Sequence, residues 1–117
     1  MGRISTHVLD ASIGKPASGV TIEFFTQTGS GWQLLKTVRT NHDGRTDEPL
    51  LAGADFRTGV YRLEFHVGDY FRARGVALGE PAFIDRVPLQ FGVGEADGHY
   101  HVPLLCTPWS YSTYRGS

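Results

Sequence analysis

The chain contains a single cysteine, Cys106, among 117 residues. No intrachain disulfide framework is available, so the fold rests on its apolar core and on whatever assembly covers its faces. Long apolar runs are missing as well. Nothing approaches the roughly 18 apolar residues of a membrane span, and no basic-then-apolar segment follows Met1. A protein of a reducing cytoplasm is the expectation. Charge of one sign is also lacking, since 11 Lys and Arg stand against 12 Asp and Glu for a net charge of -1. The basic surplus that holds nucleic acid or an anionic membrane is therefore absent, and neither is expected as a partner. At this length two lobes are not expected, and residues 1–117 read as one domain.

Turn formers, by contrast, are plentiful. Fifteen glycines and six prolines punctuate the chain into many short elements in place of a few long helices. Between them, apolar residues recur at every second position, the period of strands with one buried face. Ile4 and Val8 alternate with Ser5 and His7, and Val20, Ile22 and Phe24 alternate with Thr21 and Glu23. Trp32, Leu34 and Val38 form a third run, and Tyr61, Leu63, Phe65 and Val67 point inward against Arg62, Glu64 and His66. Val87, Leu89 and Phe91 make a further strand, which Pro88 assigns to a sheet edge because proline donates no ladder hydrogen bond. Tyr100, Val102 and Leu104 follow, and Tyr111 to Tyr114 close the series. One segment breaks the alternation: Asp69 is placed to cap a helix through Tyr70–Arg74, with Gly75 ending it. Seven or eight strands and one helical turn predict an all-β, antiparallel sandwich.

The same parity sends a set of polar side chains away from the core. His7 opposes Ile4 and Val8, His99 and His101 oppose Tyr100, Val102 and Leu104, and Ser112 shares a face with Tyr114. With Arg45 just after the Asn41–Gly44 turn, they have the makings of a site on a sheet face, provided another subunit covers it. His42 and His66 read as solvent-facing residues. A metal reading would join His99 and His101 to His7 as three imidazole ligands, but Arg45 in the same site repels a cation, so no metal or cofactor is called for. Cys106 reads as a small packed residue lacking the electropositive setting of a thiolate nucleophile. Ser110-Tyr111-Ser112 has no Gly-x-Ser-x-Gly elbow, which leaves a serine hydrolase unsupported.

Thr6-His7-Val8-Leu9-Asp10 followed by Gly14-Lys15-Pro16-Ala17 resembles the opening signature of the transthyretin-like family. Tyr114-Arg115-Gly116-Ser117 resembles the terminal tetrapeptide that separates that family's 5-hydroxyisourate hydrolases from its hormone carriers, and His99-Tyr100-His101-Val102-Pro103-Leu104-Leu105 also matches in place. The resemblance runs from Arg3 to Ser117. It implies a transthyretin-type, eight-stranded antiparallel sandwich with one short helix, and a homotetramer whose sites lie where two dimers meet. It further implies His7, Arg45 and His101 as catalytic residues, with Ser112, Tyr114, Arg115, Gly116 and Ser117 binding the small-molecule substrate. The implied activity is metal-independent hydrolysis of 5-hydroxyisourate, in urate breakdown, to 2-oxo-4-hydroxy-4-carboxy-5-ureidoimidazoline. The alternative within the family is a carrier of a hydrophobic, thyroid hormone-like ligand, against which the polar His7, Arg45 and His101 weigh. An adhesion or assembly module is a third and weaker reading.

Overall fold

The computed structural model describes residues 1–117. In chain order the elements are β1 (Arg3–Asp10), β2 (Lys15–Pro16), β3 (Thr21–Thr28), β4 (Gly31–Arg39), β5 (Leu51–Ala52), a single 3-10 turn (Gly53–Asp55), β6 (Gly59–Phe65), α1 (Val67–Ala73), β7 (Val87–Val93), β8 (His99–Cys106) and β9 (Tyr111–Thr113). They form two sheets. The first has the order β2-β1-β8-β9 with β5 also pairing β1, and the second has the order β4-β3-β6-β7. Ile4 and Val8 of β1 and Val102 and Leu104 of β8 face Ile22, Phe24, Leu63 and Phe65 of the second sheet in one buried cluster. No helix is long and apolar enough to cross a membrane.

Strand parity is borne out where the strands are regular, and β7 lies at the edge of its sheet as Pro88 requires. Three details differ from expectation. First, β1 and β8 run parallel, with Ser5 opposite His101 and His7 opposite Pro103, so the first sheet is mixed. Two strands far apart in sequence meet there, and alternation carries no information about their relative direction. Second, a bulge inserts Leu35 between Phe24 and Phe25 of the partner ladder, so Trp32 and Leu34 stand opposite Gln27 and Phe25. They join the outer face, where the Arg62 guanidinium lies 4.6 Å from the Phe25 ring centre and 4.7 Å from that of Trp32.

Third, α1 begins earlier than Asp69. His66 occupies its N-cap without a side-chain cap bond, and Asp69 sits in the first turn, where its carboxylate complements the helix dipole and meets Arg72 at 3.2 Å. Val67 is thus the buried first residue of the helix and not the last of a strand. Gly75, at φ +81°, ends the helix in the left-handed conformation as expected.

Candidate functional site

The outer face of the first sheet collects the polar parity of β1 and β8. Ser5 and His101 are register partners, and the Ser5 hydroxyl lies 2.8 Å from His101 Nδ1. His7 is two residues along β1 on the same face, and its ring centre is 6.4 Å from that of His101. Arg45 arrives from outside the sheet. It forms an isolated antiparallel bridge with His7, the Val8 N–H donates to the Gly44 carbonyl at 2.8 Å, and the Asn41 N–H donates to the Arg45 carbonyl at 2.7 Å. Asn41 builds the turn from within, its Oδ1 accepting from the N–H of Asp43 at 2.9 Å and of Arg45 at 3.2 Å. Gly44 has φ +73° and passes so close to the Val8 carbonyl that a side chain would collide with it. This turn therefore hands Arg45 to the histidines.

The C-terminal segment closes the opposite wall. Gly116 bridges to His101, donating its N–H to the His101 carbonyl at 2.8 Å. The result is an open pocket of about 340 Å³ lined by His7, Arg45, His101, Tyr114, Gly116 and Ser117, together with Arg3 and Ser5. Arg3 and Ser5 were not singled out in the sequence; they share the parity of His7, but the pairing of β1 with β8 is what brings them to the pocket. Ser112 and Arg115 do not line this pocket. Ser112 stands opposite Leu105, four residues beyond His101 along β8. Arg115 turns away: its guanidinium covers the Tyr100 ring at 4.2 Å, donates to the His99 carbonyl at 3.3 Å and lies 3.7 Å from Glu95. It lines a separate cavity of about 400 Å³ between β7 and the C-terminal segment.

The electrostatics hold both imidazoles neutral. Burial, then the Arg45 charge, lowers the pKa of His7 below the ordinary histidine value, against the smaller opposing influence of the Asp43 backbone and carboxylate. His101 is lowered by burial first, then by Arg45, His7 and Arg3. Two guanidiniums beside the imidazoles suit anionic or carbonyl-rich ligands and disfavour a metal cation, so the imidazole triad with His99 finds no support here. The carboxylate-rich group Glu23, Glu64 and His66 lies instead on the second sheet, where Arg86 already stands 3.2 Å from His66 Nε2 and 3.4 Å from Glu64. Cys106 is buried, and burial followed by the Asp10 charge pushes its thiol up to about 12, so it plays no nucleophilic part.

Residues 4–116 match the model of the HIUase/Transthyretin family. The chain is 60% identical over 117 residues to a 5-hydroxyisourate hydrolase of Pseudomonas aeruginosa, covering all of this chain and 93% of that protein. Among solved structures it is similar to (S)-allantoin synthase, with a TM-score of 0.93 and 41% identity over 99% of this chain, although it spans only 44% of that one. It is also similar to the 5-hydroxyisourate hydrolase of Klebsiella pneumoniae, with a TM-score of 0.81 and 34% identity over the whole of both chains.

Proposed function

Because this chain belongs to the HIUase/Transthyretin family, we propose that it is a 5-hydroxyisourate hydrolase that works in the His7–Arg45–His101 pocket. The high identity to proteins of that name over the full chain supports the reaction. One observation carries the site: two imidazoles 6.4 Å apart share a pocket with an arginine delivered by its own turn.

Opening a ring amide without a metal requires a base for water, a donor for the developing oxyanion and a proton for the leaving nitrogen. One imidazole of the pair takes the water's proton, a step worth roughly 10² to 10⁴ in rate. The other orients the substrate. Arg45 meets the carbonyl edge with its planar fork and stabilises the charge that develops there. Tyr114, Gly116 and Ser117 bound the heterocycle, and Ser112, opposite Leu105 in β8, extends the wall in the assembled protein. A hormone carrier needs an apolar channel, and this lining is polar.

The open pocket needs a lid that a single chain does not supply. Trp109, Tyr111 and Tyr114 are exposed along the same terminal region, and β9, paired with β8 on one side, leaves its other edge free, features that suit a homotetramer covering the site. Generating 5-hydroxyisourate with urate oxidase and following its ultraviolet absorbance tests the activity: decay no faster than in buffer overturns it. Full activity in Arg45→Glu and His101→Asn overturns the site, and a monomer by light scattering overturns the assembly.

A further inference from the structure

Ser5 and His101 meet because β1 and β8 run parallel with these two residues in register. The Ser5 hydroxyl, 2.8 Å from His101 Nδ1, has no other hydrogen-bond partner in the fold. We propose that Ser5 is a positioning residue for the hydrolysis: it donates to Nδ1 and fixes His101 as the tautomer with its proton on Nε2, available to the substrate. The catalytic part rests on the function assigned above.

A neutral imidazole has one donor and one acceptor nitrogen. Were Nδ1 the donor, the Ser5 proton would lose its one acceptor within the protein; with Nδ1 accepting, both groups are satisfied. Burial first, and then the nearby Arg45, His7 and Arg3, disfavour a second proton on the ring. Gly116 packs against the Cδ2 edge so closely that a Cβ there would stand 2.6 Å away, which hinders the ring from turning over. His7 has no such hydroxyl partner, and as a neutral imidazole it keeps one ring nitrogen with a lone pair.

The roles separate accordingly. His7 takes a proton from water, the hydroxide adds to the amide carbonyl carbon, and His7 returns that proton to the ring nitrogen as the C–N bond breaks. Throughout, His101 keeps its Nε2 proton and donates a hydrogen bond to the carbonyl oxygen as it becomes negative. A neutral imidazole serves as an electrophile in this way without any transfer of its own proton.

The test uses long-range proton–nitrogen spectra of protein labelled with ¹⁵N-histidine, with His101 identified by its loss in His101→Asn. The wild type is expected to show Nδ1 bare and Nε2 protonated, Ser5→Ala a mixture of tautomers, and Ser5→Thr the wild-type pattern. In parallel kcat should fall about tenfold in Ser5→Ala with KM little changed, and recover in Ser5→Thr. A protonated Nδ1 in the wild type, or unaltered His101 signals in Ser5→Ala, overturns the proposal. If the wild type has the expected tautomer but no hydrolysis, the function falls and the hold of Ser5 on the ring stands.

Discussion

Gly116 donates its N–H to the His101 carbonyl at 2.8 Å and leaves no room above the imidazole, since a Cβ there would lie 2.6 Å from His101 Cδ2. A methyl group at this position must push either the ring or the terminal segment aside. A displacement of about 1 Å at a positioned group costs about 10² in rate. Gly116→Ala is therefore expected to lower kcat/KM by roughly that factor while the urea midpoint stays near the wild-type value, because residue 116 lies outside the core cluster. A fully active Gly116→Ala enzyme would show that His101 does not act from the position seen.

Arg45→Gln addresses the electrostatics. Burial and then Arg45 lower the pKa of both His7 and His101. Removing the charge raises both, so the acid limb of kcat/KM moves to higher pH while its plateau falls by about 10² to 10³. The sign for stability follows from the same shifts. A histidine whose folded pKa is depressed contributes stability above the unfolded value and loses it as pH falls, because the unfolded chain then binds more protons. The wild type should thus lose stability on acidification below about pH 6.5, and Arg45→Gln should lose less. Urea titrations across pH 5 to 7.5 read this directly, and equal losses in the two proteins would remove Arg45 from the account.

Strand alternation made the faces legible: Ile4 and Val8 in, Ser5 and His7 out, and the same for Tyr100 to Leu104. That parity sends both His7 and His101 to an outer face. It was silent on pairing. Ser5 and Arg3 acquire their places only from the parallel register with β8, a contact between strands nearly the whole chain apart. Trp32 and Leu34 were misplaced for a local reason, because one extra residue, Leu35, reverses the parity of everything before it in β4. Arg115 belongs to the terminal motif yet turns to the Tyr100 ring, since in a single chain that aromatic face and Glu95 are its nearest partners.

Cys106 provides a check on the first sheet from its buried side. Its side chain is fully enclosed, its Sγ lies 3.6 Å from the Leu9 carbonyl, and its thiol is pushed up to about 12. At pH 8 the thiolate fraction is then on the order of 10³ smaller than for a free cysteine. Native protein should leave a disulfide reagent unreacted over hours, and protein in 8 M urea should consume one equivalent at once. Rapid native reaction would mean that β1 and β8 open locally at that end.

Asp10 ties the two sheets together, and its loss should be the costliest single change outside the aliphatic core. The carboxylate is fully buried at the end of β1; Oδ1 accepts from the Ser12 N–H at 3.0 Å and from the Ser12 hydroxyl, and Oδ2 accepts from the Tyr70 hydroxyl at 2.8 Å and Arg74 Nη1 at 2.9 Å. Tyr70 and Arg74 belong to α1 and its C-cap, which follow the second sheet's β6, so this one side chain docks the helix on the first sheet. Asp10→Ala leaves a buried hydroxyl and a guanidinium without their acceptor, at a cost of about 3 kcal/mol. With a urea slope near 2 kcal/mol per molar, the midpoint should fall by about 1.5 M. Burial first, and then the bond to Asp10, hold the Tyr70 hydroxyl up at about 12, so in Asp10→Ala its ultraviolet titration should move back toward that of free tyrosine. Tyr70→Phe keeps the ion pair and should lose much less stability than Asp10→Ala. Equal losses would assign the docking of α1 to the Tyr70 hydrogen bond alone, and a wild-type midpoint in Asp10→Ala would show that the aromatic packing of Tyr70 and Phe71, with ring centres 5.0 Å apart, holds the helix without it.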